Sequence, residues 1–155
     1  MEAQHNPAQL QALIIPLKNW NLIVPQSLVA EILPMPEVRL TGAPELWLRG
    51  SIEWRGTELP LVSIDGYCAP ETDDEKLRTR RVAVLQNLGE NCEHYALEIY
   101  SIPHPLRVVE SDVILTDAPN GHVCELIARH VQVSGVKGII LEFDLLEKKI
   151  SEVVG

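Results

Sequence analysis

Residues Leu48 to Asp65 read LRGSIEWRGTELPLVSID. Successive side chains of an extended strand point to opposite faces, so Leu48, Gly50, Ile52 and Trp54 share one face and Arg49, Ser51, Glu53 and Arg55 the other. The first face predicts core. The second gathers two arginines and a carboxylate, a pattern that suits an internal charge network, a recognition surface or a solvated strand face. Gly50 and Gly56 are backbone residues in this reading, because glycine inside a strand pattern marks a bulge, a bend or a close approach. An apolar run then leads through Pro60 to Asp65.

The same character extends outward in both directions. Eleven prolines are spread along the chain, and each interrupts a helix attempted across it by removing a donor and clashing with the preceding turn. Between them lie strand-length runs such as ALIIPL, NLIVP, RRVAVLQ, HYALEIY, DVILT and KGIILEF, which predict an all-β chain. Lys18-Asn19-Trp20-Asn21, Asn87 to Asn91 and Asn120-Gly121 are turn signals, where Asn and Gly tolerate positive φ. The polar stretch 70–79, with Glu71, Asp73, Asp74 and Glu75, is expected to be a loop separating two strand-rich halves of a single domain over 1–155. A short C-terminal helix is predicted from Asp144, placed as its cap with Glu147 three residues on. Leu146, Ile150, Val153 and Val154 form its apolar stripe. Gly56 to Asp65 and Gly138 to Asp144 echo one another, each running from a glycine through an apolar strand to an aspartate.

With 13 Lys+Arg against 22 Asp+Glu, the formal net charge is -9, which argues against nucleic-acid and anionic-membrane partners and favours proteins. The start MEAQHNPAQLQ lacks the basic and apolar regions of a secretory signal, and no apolar run approaches the ~20 residues that cross a bilayer, so direct membrane insertion is not expected. A cytoplasmic location follows as an expectation. Cys68, Cys92 and Cys124, odd in number and far apart, are expected to be free thiols.

The segment from Leu48 to Asp65 resembles the signature of the CheW-like domain family, with Gly50, Ile52, Arg55, Gly56, Pro60 and Asp65 in matching order. Val29-Ala30-Glu31-Ile32 is similar to the family's strand upstream of the signature, and Pro44 stands where a proline-bearing connection is usual. Tyr95 to Ile99 is similar to the strand that opens the second half, and the strand-helix ending, Leu141 to Val154, also matches. Glu53-Trp54 and Tyr100 depart from residues common in the family. The opening LIIPLKNWNLIVPQSLVAEI resembles the ChpC-like or PilI-like adaptors of chemosensory systems that control type IV pili and twitching motility.

The resemblance implies two small five-stranded SH3-like β-barrels packed side by side, without catalytic activity or an obligatory cofactor. It implies two partners, the regulatory domain of a CheA-type histidine kinase and the cytoplasmic tip of a methyl-accepting chemoreceptor. Val29, Glu31 and Arg55 fall on positions that the family links to partner contact or signal coupling. Trp54 shares phase with Ile52 and is expected in the core. Trp47, in the opposite phase, suits either packing against the other barrel or partner contact.

Other chemistries have weaker support in the residues. Cys92/His94 and His122/Cys124 are i, i+2 pairs that would form a zinc set only if they met in space, and they are expected to be surface residues without metal. Ser63 lies inside an apolar strand without a G-x-S-x-G elbow, so it reads as packing and no catalytic residue is assigned. No phosphate-binding glycine motif occurs. The competing function is a β-barrel module that binds a small molecule or single-stranded nucleic acid. Acidity and an aromatic content of 5% count against its nucleic-acid form.

Overall fold

The computed structural model describes residues 9–40, 42, 44–72, 81–87 and 94–154. The β-branched and aliphatic runs between the prolines form eleven strands among them: β1 Gln9–Pro16, β2 Asn21–Pro25, β3 Val29–Pro34, β4 Leu48–Trp54, β5 Thr57–Val62, β6 Arg81–Gln86, β7 His94–Ile99, β8 His104–Val109, β9 Val113–Thr116, β10 Ile127–Val133 and β11 Val136–Leu141. Two helices, α1 at Ile64–Cys68 and α2 at Phe143–Val154, follow β5 and β11.

The strands form two sheets. One has the order β8-β1-β2-β11-β10-β9 and the other β3-β6-β7-β5-β4. Within them, β5 runs parallel to β7 and β11 parallel to β2, and the other pairs are antiparallel. In the six-stranded sheet the two edge strands β8 and β9 are consecutive, joined by a 3-10 turn at Glu110–Asp112. So short a link holds the edges near one another and curls the sheet. The expected pair of barrels is present, with six strands in one sheet because β8 and β9 are separate strands at its two edges.

The two sheets interleave along the chain. The N-terminal hairpin β1–β2 belongs to the sheet that otherwise holds the C-terminal strands. The elements that flank the polar stretch 70–79, β5 with α1 on one side and β6 on the other, both belong to the five-stranded sheet, so the two sheets do not coincide with the parts of the chain before and after it. Residues 73–79 lie outside the described residues, as do 88–91 of the Asn87–Asn91 turn. The Lys18–Asn21 turn joins β1 to β2, and the Asn120-Gly121 signal falls in a 3-10 turn at Pro119–Gly121, with Gly121 at φ +68°.

The echo in the sequence is a structural repeat with a corrected alignment. At one constant offset along the chain, β4, β5 and α1 correspond to β10, β11 and the start of α2. The turn Arg55-Gly56, at φ +49° and +77°, corresponds to Ser134-Gly135, at +50° and +81°. Register shifts between Leu48 and Gly50 and between Ile127 and Arg129 correspond as well. So do the 2.8 Å bonds from the Ser63 amide to the Trp47 carbonyl and from the Glu142 amide to the Leu126 carbonyl. Gly56 is thus matched by Gly135, and Gly138 is matched by Leu59.

A main core is shared by both barrels, beside a smaller apolar cluster in each sheet. Ile15, Leu22, Val24 and Leu141 from the six-stranded sheet pack with Leu48, Val62, Leu85 and Leu97 from the other, together with Leu146 and Ile150 of α2. Each fully buried aliphatic side chain contributes roughly 1.5–3 kcal/mol, so docking α2 through Leu146 and Ile150 is a substantial stabilising term. The predicted stripe is narrower than expected, with Val153 half-buried and Val154 58% exposed. Glu142 takes the capping position, its carbonyl accepting the Leu146 amide, and Asp144 sits inside the first turn.

The free-thiol expectation fails at two positions, because Cys68 and Cys124 form a disulfide across 56 residues. They are distant in sequence but adjacent in the fold, since α1 packs beside the chain entering β10. Sequence spacing carries no information about that contact.

Candidate functional site

Arg55 is not on a strand face. It occupies the first central position of the two-residue β4–β5 turn, followed by Gly56, both with positive φ. Such turns match the twist of the flanking strands, which is why they dominate tight hairpins. The turn lifts Arg55 clear of the core and lets its guanidinium carbon lie 4.7 Å from the centre of the Trp54 ring.

Across the barrel seam, the other edge strand β3 brings up Glu31. Its Oε1 accepts from Trp54 Nε1 at 2.9 Å and from Arg55 Nη2 at 3.2 Å. The opposite edges of the five-stranded sheet, β3 and β4, are therefore joined by side chains. Trp54 is half-buried against Ile52 and Leu59, as its phase requires, while its indole N–H reaches the rim. A buried tryptophan needs a partner for that N–H. This need was the signal in the sequence for an acceptor near Trp54, but nothing in the chain order singled out Glu31. The His94 ring lies 4.9 Å from Trp54 and extends the cluster.

Of the three expected partner residues, the fold brings Glu31 and Arg55 together. Val29 lies on the same strand beyond a register irregularity, half-buried against the main core. The Glu31–Arg55 ion pair has side-chain exposures of 41% and 69%. A pair so exposed contributes about 0–1 kcal/mol, so its chief effect is to orient the guanidinium.

A second polar group lies within the five-stranded sheet. Arg49 bonds Glu98 at 2.9 Å, the Leu46 carbonyl at 3.0 Å and Ser63 Oγ at 3.3 Å. Of the residues expected on one polar strand face, Arg49 is in this internal network, Ser51 is buried, Glu53 is exposed and Arg55 is in the turn. Ser63 was expected to be a packing residue and is the N-cap of α1, its Oγ accepting from the Gly66 amide at 2.9 Å. Trp47 packs partly buried on the main core and edge-on to Tyr67. Tyr67 donates to Glu125, and burial together with that carboxylate pushes its pKa up to about 12.

The two Cys/His pairs do not form a zinc set. Cys124 is committed to its disulfide, and His122 Nε2 lies 2.7 Å from the Cys68 carbonyl. Cys92 is outside the described residues, and His94 lies against Trp54. Among the described residues no group of three or more candidate ligands is close enough to hold a metal ion. No helix among them is long and apolar enough to cross a membrane.

Three comparisons bear on this arrangement. Residues 11–148 match the model of the CheW-like domain. The scaffolding protein TtCheW from Thermoanaerobacter tengcongensis has a similar solved structure, with TM-score 0.69 at 13% identity, covering 92% of this chain and 90% of that one. No curated protein matches the sequence.

Proposed function

We propose, because this chain belongs to the CheW-like domain family, that it is a non-catalytic adaptor coupling a chemoreceptor's cytoplasmic tip to the regulatory domain of a CheA-type histidine kinase. Its setting is the cytoplasm, in a chemotaxis system or in the control of type IV pili and twitching motility. The observation that carries the reading is the Glu31–Trp54–Arg55 cluster. Folding gains little from its exposed ion pair, yet the cluster holds a guanidinium at the barrel rim. Arginine carries five N–H donors in a planar fork, and a group 69% exposed presents several of them to an incoming carboxylate. An acidic domain offering one oriented cation suits a protein partner better than a phosphate backbone. Ser63 serves as a helix cap, which supports a scaffold over a serine hydrolase.

The test is affinity capture from the native cell followed by reconstitution. A CheA-like kinase should copurify, and its absence under gentle conditions would refute the adaptor reading. In the reconstituted system Arg55→Ala should weaken kinase activation or receptor assembly while the melting temperature holds. Arg55→Lys should rescue in part, since an ammonium lacks the planar fork. An Arg55→Ala protein that couples normally would remove Arg55 from the contact surface.

A further inference from the structure

Cys68 is the last residue of α1, a helix tied to the five-stranded sheet through β5, and Cys124 stands just before β10 of the six-stranded sheet. Their disulfide is therefore a covalent link between the two barrels. Noncovalent contacts surround it. His122 Nε2 meets the Cys68 carbonyl at 2.7 Å, Tyr67 donates to Glu125, and Lys149 lies 3.6 Å from Glu125. The repeat supplies an internal comparison. The positions corresponding to Cys68 and Cys124 are Glu147 and Glu45, so the matching pair of positions has no cysteine at either place. The repeat thus has a disulfide at only one of the two corresponding places, and noncovalent contacts flank that disulfide on both segments. Access to the two sulfurs differs. Cys68 is 5% exposed, whereas Cys124 is half-buried beside Val123, which is 84% exposed.

We propose that Cys68–Cys124 is a thiol–disulfide switch that clamps α1 to the segment entering β10 when oxidised and loosens that junction when reduced. A small dithiol is the reductant. One of its thiolates attacks Cys124 Sγ, forming a mixed disulfide as the Cys68–Cys124 bond breaks and Cys68 leaves as a thiolate that takes up a proton. The second thiol of the reductant then closes its own disulfide and releases Cys124, so two electrons and two protons pass to the protein. A looser junction between the barrels is less pre-organised for a partner that contacts both of them, and binding is weaker. This last consequence rests on the adaptor function proposed above, whereas the switch itself does not.

The experiment uses the full chain carrying Cys92→Ser, so that only the two paired cysteines titrate. The protein is equilibrated in mixtures of reduced and oxidised dithiothreitol, and thiols are counted by alkylation and mass. Hydrogen exchange is followed in residues 64–69 and 122–126. The expected result is a reversible two-thiol transition with the strand circular dichroism retained, and exchange in both segments faster by roughly tenfold in the reduced form. Two free thiols before any reductant is added, global unfolding on reduction, or unchanged exchange would each overturn the switch. The isolated regulatory domain of a CheA-type kinase is then titrated against both forms, with the reduced form expected to bind about threefold or more weakly. Equal binding to both forms overturns the effect on assembly. Binding to neither form overturns the proposed function and leaves the switch standing on its exchange data.

Discussion

Asn19 donates both its backbone and its side-chain amide to one oxygen of Asp65, each at 2.9 Å, while the Lys18 amide donates to the other oxygen at 3.0 Å. Asp65 is only 4% exposed. It lies in α1, which follows the five-stranded sheet, and its donors form the β1–β2 turn of the six-stranded sheet, so one carboxylate fastens the two barrels together. Its counterpart in the repeat, Asp144, is exposed.

Asp65→Ala should therefore destabilise the chain strongly, by about 3 kcal/mol, because it removes a buried carboxylate that accepts three hydrogen bonds as a charged acceptor. At this chain length that corresponds to a melting temperature lower by roughly 6–12 °C. Asp144→Ala should stay within about 0.5 kcal/mol. Equal effects at the two positions, measured by thermal melts, would contradict the clamp.

Glu31 bonds two neighbours of different burial, and the couplings should differ accordingly. A double-mutant cycle on Glu31→Ala and Arg55→Ala should give about 0.5 kcal/mol, as for exposed ion pairs. The cycle on Glu31→Ala and Trp54→Phe should give about 1 kcal/mol or more, because the indole N–H is sheltered and charge-assisted. Urea titrations measure both. A loss above about 1.5 kcal/mol for Arg55→Ala alone would make Arg55 a folding residue, since surface changes rarely cost so much.

Two glycines in the same hairpin should respond differently to alanine. A Cβ at Gly50, φ +144°, would lie 2.4 Å from the Arg39 carbonyl oxygen, whereas a Cβ at Gly56, φ +77°, would meet nothing within 4 Å. Gly56→Ala should cost only the left-handed backbone penalty, about 1–2 kcal/mol. Gly50→Ala adds a clash with backbone and should cost more, about 3 kcal/mol or above, with loss of soluble protein as the extreme. Chemical denaturation of the two variants side by side tests the order.

The pH dependence should fall on the alkaline side through Tyr67. Burial is the largest cause raising its pKa, with the Glu125 carboxylate adding to it, and the value rises from 10.0 to about 12. The native state thus keeps the phenolic proton over a range in which the unfolded chain loses it. Tyr67's contribution is fully present below pH 10 and is lost as pH rises towards about 12. His130 acts at the other end. Burial and the nearby His122 lower its pKa, so its contribution is present above its ordinary 6.5 and is lost as pH falls. Melting curves from pH 5 to 11.5 should show both slopes, and Tyr67→Phe should flatten the alkaline one. An unchanged alkaline slope in Tyr67→Phe would assign the loss to other groups.

The sequence alone determined the all-β class, the C-terminal helix and the family. Those features are local: prolines at short intervals forbid long helices, β-branched and aliphatic runs of strand length fill the gaps between them, and Leu146 and Ile150 mark a helical stripe. Arg55 and Glu31 were legible as candidates through the motif, though local pattern placed Arg55 on a strand where the chain makes a two-residue turn. Only the tertiary structure decided which distant residues meet. Cys68 finds Cys124, Asp65 finds Asn19, and Glu31 finds Trp54 because the N-terminal hairpin crosses into the second sheet and α1 lands beside the entry to β10. Such contacts depend on the order of strands within closed sheets, and neither the periodicity nor the spacing of one chain encodes that order in a form that can be read residue by residue.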